Sequence, residues 1–137
     1  MYIIVAGCGK TGANLVKKLS NDGHDVVVID PNEENFAQLE NGTNCLTITG
    51  MPIDEDVLKS AGIERAEALL AVTNEDNVNV MTAQIASQLY HVPHVVTRLY
   101  DPEKDEIMRQ MGLETVCPTM LTVAKIGSLL EQTEEDN

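Results

Sequence analysis

The sequence has no tryptophan, one phenylalanine and three tyrosines, so aromatic residues make up only 3% of its 137 residues. That is too few for the stacking platforms on which unpaired bases are held. Positive charge is also scarce: nine Lys and Arg stand against 22 Asp and Glu, a formal charge of −13. A nucleic-acid backbone is gripped by clustered Lys and Arg, so this balance argues against nucleic acid as a partner. It leaves room for a local basic spot facing one small anion. No run of 18 apolar residues occurs, and the start MYIIVAGCGK has neither a basic n-region nor a cleavage site. A soluble, untargeted protein is expected. Cys8, Cys45 and Cys117 are scattered without a CxxC pair, which fits free thiols in a reducing cytosol better than disulfides or zinc. His24, His91 and His94 show no metal-binding spacing.

What the chain does have is a regular alternation. Residues 2–6 (YIIVA) are a short apolar run of strand-forming type, expected to be buried on both faces. From Gly12 the spacing turns helical, with Ala13, Leu15, Val16 and Leu19 on one side, and Ser20 to Gly23 ends that helix. Asp25–Asp30 (DVVVID) reads as a second strand. A short helix over about Glu33–Leu39 follows, closed by Asn41-Gly42. Cys45–Thr49, Ala68–Thr73, His94–Leu99 and Glu114–Cys117 read as four further strands. Between them fall helices capped at Asp54, spanning Asn77–Tyr90, and opening at Asp101-Pro102. A last helix runs from Pro118 to Leu130. Strand and helix alternating across short connections specify an α/β fold: a Rossmann-like, doubly wound, parallel six-stranded sheet with helices on both faces and a C-terminal helix. One domain is expected over residues 1–130, then an acidic, solvated and frayed tail over 131–137. The last helix carries too many apolar residues for one stripe, so it is either wholly buried or meets another subunit or domain, and the second is favoured.

Gly7-Cys8-Gly9-Lys10-Thr11-Gly12 matches G-x-G-x-x-G directly after a strand and directly before a helix. In that context Gly7 makes the tight turn, Gly9 lets backbone approach a pyrophosphate, and Gly12 lets helix and strand pack closely, with anionic oxygens at the helix N-terminus. Asp30 ends the second strand 18 residues after Gly12, near where the fingerprint places a carboxylate for the ribose hydroxyls. A carboxylate there repels a 2′-phosphate, which disfavours NADP. Lys10 adds a point charge for phosphate inside the loop.

Several segments together resemble one family: IIVAGCGKTG, VVVID, the ITG after the third strand, LKSAGIERAEALLAVTNEDNVN and VVTRLYDP. The chain resembles the regulatory nucleotide-binding N-terminal domain of bacterial potassium transport systems (Trk/Ktr, the RCK family). The resemblance implies a domain that binds NAD(H) or ATP/ADP and passes its occupancy to an integral-membrane potassium transporter subunit. It implies that the backbone of Gly7, Cys8, Gly9, Lys10 and Thr11, with Asp30, holds phosphates and ribose. Gly50 and Met51 would then border the adenosine, Thr73 and Asn74 the far side, and Arg98 the phosphates or nicotinamide half. It further implies a cytoplasmic protein, peripheral at the inner face of the membrane, that forms a homo-oligomer. Two departures stand out: Met51 where the family often has an acidic residue, and Thr119 where some ATP-responsive members have one. Family subunits also commonly continue into a small C-terminal lobe, so this sequence is expected to be a minimal form or a piece of a longer chain.

The leading expectation is therefore a non-catalytic gating subunit. The alternative is the cofactor domain of an NAD-dependent oxidoreductase. Tyr100 and Lys104 spell the Y-x-x-x-K of short-chain dehydrogenases, but Asp101-Pro102 should start a helix that leaves Tyr100 outside it. A third possibility, a redox-sensing repressor on the same fold, conflicts with the charge of −13 and the lack of a basic patch.

Overall fold

Ile3–Ala6 and Val26–Ile29 are apolar at every position, and side chains of a strand point alternately to opposite faces, so both faces of these strands must be covered. The computed structural model, which describes residues 1–39 and 43–135, covers them with helices on both sides. Six strands form one sheet: β1 (Tyr2–Ala6), β2 (Asp25–Asp30), β3 (Cys45–Thr49), β4 (Ala68–Ala71), β5 (His94–Arg98) and β6 (Glu114–Val116). Their order is β3-β2-β1-β4-β5-β6, and every neighbouring pair is parallel. The sheet expected from the alternation is thus present.

Among the described residues there are five α-helices: α1 (Lys10–Asn21), α2 (Glu55–Ser60), α3 (Asp76–Gln84), α4 (Pro102–Gln110) and α5 (Pro118–Glu135). On one face Ile3, Val5, Val26 and Val28 pack against Ala13 and Val16 of α1. On the other, Ile4, Val27, Ile29 and Leu69 pack with Leu58 of α2 and Ala83 of α3. Each fully buried Val, Ile or Leu contributes about 1.5–3 kcal/mol relative to exposure. Asp54 and Asp101 cap α2 and α4 as anticipated, accepting from the N–H of Asp56 (2.9 Å) and of Glu103 (3.0 Å).

Some boundaries differ from the sequence reading. The helix expected over Asn77–Tyr90 is α3 followed by a π-type turn, Ile85–Leu89, where the N–H of Tyr90 reaches the carbonyl of Ile85 at 3.3 Å. β4 stops at Ala71, because the backbone of Thr73 is taken up by Asn79 of α3. The short helix after β2 is a 3₁₀ segment, Glu33–Gln38, and its expected closure at Asn41-Gly42 lies outside the described residues. α5 continues through residues 131–135, which were expected to fray, while 136 and 137 are likewise outside the described set. The alternative of a wholly buried last helix is overturned: Leu121 and Leu130 are 60% and 63% exposed, and Val123 and Ile126 are exposed with them.

The strand order reverses between β1 and β4, and a crevice opens beyond the carboxyl ends of strands at such a switch point. One close crossing fixes α1 there. A Cβ on Gly12 would overlap the carbonyl oxygen of Gly7. Backbone rather than a movable side chain is in the way, so Gly12→Ala should cost about 3 kcal/mol, the upper end of the overpacking range. Urea unfolding of the purified variant measures this; a loss below about 0.5 kcal/mol, the scale of a neutral surface change, would contradict the crossing.

Candidate functional site

Gly7 leaves β1 with φ +112°, in the region where L side chains are strained, and its N–H donates to the carbonyl of Ile29 at 2.8 Å. Gly9 follows as the N-cap of α1 and offers no side chain to cap it; the first turn of α1 also contains no acidic residue. By contrast α2 and α4 each have an aspartate cap and acidic first turns. The positive end of α1 is therefore left without the protein anion that its neighbours have, an arrangement that receives an external one. Lys10 and Thr11, both exposed, stand on that same turn.

Asp30, at the end of β2, is 6% exposed and already engaged. Its Oδ2 accepts from the N–H of Cys8 at 2.8 Å, and its Oδ1 accepts from the N–H of Asn32 at 2.8 Å and from Nδ2 of Asn35 at 3.0 Å. The carboxylate thus ties the glycine loop to β2 as well as facing the cleft, a structural duty the motif alone does not disclose. The Cys8 thiol turns away toward the carbonyl of Asn35 at 3.6 Å. Burial, and then the Asp30 carboxylate, push it up to about 11, so it stays protonated at neutral pH.

A cleft of about 300 Å³ lies between these elements, lined by Gly7, Gly9, Asp30, Pro31, Asn32, Asn35, Met51, Pro52, Val72, Thr73, Asn74, Glu75 and Val78. That volume is at the lower end of small-molecule sites. Six residues singled out from the sequence are brought together in it: Gly7, Gly9, Asp30, Met51, Thr73 and Asn74. Cys8, Lys10, Thr11, Gly12 and Gly50 support its walls or rim without lining it. Sequence reasoning missed Asn32 and Asn35, and with them Pro31, Pro52, Val72, Glu75 and Val78. The Asn32 cap, which accepts from the N–H of Glu34 at 3.1 Å, was the available signal for the first two.

Arg98 is placed differently from the expectation. Its guanidinium is buried behind the cleft wall, with Nη2 donating to the carbonyls of Val72 (2.7 Å) and Thr73 (2.9 Å) and reaching Oδ1 of Asn74 at 3.4 Å. Nε has no partner, and among the described residues no carboxylate forms an ion pair with it. The neighbouring Asn79 is fully buried and satisfied: it accepts from N and Oγ1 of Thr73 and donates to the carbonyls of Thr73 and Arg98. Tyr100 lies outside α4, and Lys104 Nζ is occupied with Oδ1 of Asn77 at 3.2 Å, so these two are not a catalytic pair on one helix. Among the described residues no group of three or more His, Cys, Asp or Glu could hold a metal ion. Nor, among them, is any helix long and apolar enough to cross a membrane.

A doubly wound parallel sheet with an uncapped glycine-loop helix at its switch point defines the class: a Rossmann-like domain with a cleft beyond the carboxyl ends of its strands. The sequence profile of the TrkA-N domain matches residues 3–119, and the chain belongs to this family. It is 37% identical over 122 residues to the Trk system potassium uptake protein TrkA of Streptomyces coelicolor, covering 89% of this chain and 55% of that protein. With the TrkA homolog of Pyrococcus abyssi it shares 32% identity over 111 residues, 81% of this chain and 49% of the relative. The chain thus spans about half the length of these relatives. Among solved structures, the TrkA-N domain of the inner membrane protein ybaL from Escherichia coli superposes with a TM-score of 0.82 at 18% identity, covering 94% and 96% of the two chains. The Shewanella denitrificans Kef CTD in its AMP-bound form gives 0.81 at 17% identity, covering all of this chain and 83% of the other. The GsuK channel bound to NAD gives 0.70 at 24% identity, covering 85% and 21%. At such identities the three structures show the shared fold.

Gly9 separates ligand from fold. Its backbone has φ −75°, and a Cβ there would meet nothing within 4 Å. A side chain has room here, at the cost of a poorer N-cap, whereas in the Rossmann fingerprint this glycine is the one that lets a pyrophosphate approach the backbone. Gly9→Ala should cost no more than about 1 kcal/mol of stability, the loss of a favourable N-cap, while weakening AMP or NAD binding by about tenfold, or 1.4 kcal/mol. Unchanged affinity in a calorimetric titration would remove the loop from the ligand site.

Proposed function

We propose that this chain is the nucleotide-sensing domain of a regulator of potassium uptake, binding NAD(H) or an adenine nucleotide (ATP, ADP or AMP) without turning it over. The observation that carries the reading is the uncapped N-terminus of α1, opening with Gly7 and Asp30 on a cleft at the switch point. Family membership and the nucleotide-bound neighbours support it. The adenosine half sits between Asp30, Asn32 and Met51, and the phosphates face Gly9 and Lys10. Its partner is an integral-membrane potassium transporter subunit, on whose cytoplasmic side the domain works as a peripheral protein. A ligand shifts such an assembly only through unequal affinity for two conformations. Nucleotides sharing adenosine but differing beyond it could therefore drive opposite states.

Calorimetric titration with NAD, NADH, AMP, ADP and ATP tests the core of this. At least one should bind, and Lys10→Ala should weaken ADP roughly threefold more than AMP, the scale of an exposed charge pair. Failure of all five to bind would overturn the reading, and steady NADH turnover with a panel of carbonyl substrates would replace it with the oxidoreductase alternative.

Self-association belongs to the same proposal. Val123, Ile126 and Leu130 recur at i, i+3 and i+7 on α5 and are exposed together, a stripe of the kind one helix offers another. Sedimentation should show a homo-oligomer that the pair Ile126→Glu and Leu130→Glu converts to monomer. A parent chain that sediments as monomer at every concentration would exclude it.

A further inference from the structure

Behind the cleft, polar contacts continue in one direction, away from the ligand and toward the root of α5. Thr73 lines the cleft, and its carbonyl accepts from Nη2 of Arg98 at 2.9 Å. The Arg98 guanidinium lies over the ring of Tyr100, 5.0 Å from the centroid. The carbonyl of Tyr100 in turn accepts from Oγ1 of Thr119 at 3.1 Å and from Sγ of Cys117 at 3.8 Å. Cys117 supplies the carbonyl on which α5 begins, accepting from the N–H of Leu121 at 3.0 Å. On its other side, Tyr100 is held by Asp76, whose Oδ1 accepts from its N–H at 2.9 Å.

Two features make this run more than scaffolding. Arg98 is a permanently charged group, 6% exposed, held by carbonyl oxygens without a carboxylate, and its reach to Asn74 is stretched to 3.4 Å. Val72 and Thr73, whose carbonyls hold it, line the cleft, so a ligand seated there bears on the backbone that positions the guanidinium. In addition, the side chains of residues 119–126 and 128–134 are all exposed, so the direction of α5 is set at its first turn. Its 18 residues at about 1.5 Å rise each form a lever of roughly 27 Å. A tilt of about 10° at the root moves the tip by about 5 Å over that length.

We propose that Tyr100 is a positioning residue that couples occupancy of the cleft to the orientation of α5, with Arg98 on its ring and Thr119 on its carbonyl. This rests on the nucleotide reading above. A ligand that shifts the Val72–Thr73 backbone moves Arg98 on the Tyr100 ring, the Tyr100 backbone moves with its ring, and Thr119 conveys the shift to the helix.

Amide hydrogen exchange over Leu121–Ile126 of the full chain, with and without saturating AMP and, separately, NAD, tests the coupling beside calorimetry on the same samples. In the parent and in Tyr100→Phe, which keeps the ring, the bound nucleotide should change exchange by about fivefold or more, the lower end of ordinary allosteric coupling. In Tyr100→Ala and in Thr119→Val, which keeps the shape and removes the hydroxyl, the change should fall below about twofold although nucleotide still binds. A purely structural role would alter exchange without ligand and leave the ligand-induced change intact, which overturns the proposal. So does a parent chain that binds AMP or NAD with no response in α5. Absence of binding by any nucleotide overturns the proposed function and the coupling with it.

Discussion

The close passage of Gly12 over the carbonyl of Gly7 governs everything around the cleft. It brings the first turn of α1 down onto the end of β1, where no side chain could fit between them. Once the turn is there, the N–H of Cys8 falls within reach of Asp30 on β2, and Gly7 packs against the backbone of Thr73 beyond β4. A Cβ on Gly7 would stand 2.9 Å from the Thr73 nitrogen, so the loops after β1 and β4 share one backbone contact. Three strand ends are thereby locked to one glycine loop, and the cleft is what they leave between them. Its shape is a consequence of backbone packing, and is therefore formed before any ligand arrives.

The other organising element is a charge. Burying a guanidinium is costly unless its donors are met, and Arg98 meets that cost in part: Nη2 donates to the carbonyls of Val72 and Thr73, while Nε has no partner. Asn79 completes the arrangement by saturating all of its own hydrogen-bonding capacity between β4 and β5. The result is a polar joint in which the cation keeps one donor, Nε, unmet.

The sheet was legible because its central strands β1 and β2 are buried on both faces, which leaves an unbroken apolar signature in VVVID and YIIVA. The glycine loop was legible because backbone constraints select glycine at Gly7 and Gly12. Asp30 was found, but its bonds to Cys8, Asn32 and Asn35 were not, since they depend on residues that only the fold brings together. Arg98 was read as facing the ligand. That reading came from the family resemblance, and the carbonyls that capture Arg98 belong to the loop after β4, which only the fold brings to it. The surplus of apolar residues on the last helix showed that something covers it, while its exposure here shows that the rest of this domain does not.

A chain of charge −13 that binds an anion has to do so against its own long-range field. That field is screened over about 8–10 Å at ordinary ionic strength, so it opposes encounter more than it opposes the bound state. Attraction must come from groups within hydrogen-bonding range, and the cleft concentrates them: the free N–H groups of α1, Lys10 on the same turn, and Arg98 behind the far wall. Asp30 and Glu75 line the same space and oppose charge at its two ends. A compact anion seated on α1 satisfies this distribution, whereas a long polyanion would meet acidic surface on leaving it. The acidity that argues against a nucleic-acid backbone is thus compatible with one nucleotide, and under the proposed reading phosphate number is the property such a site would feel most.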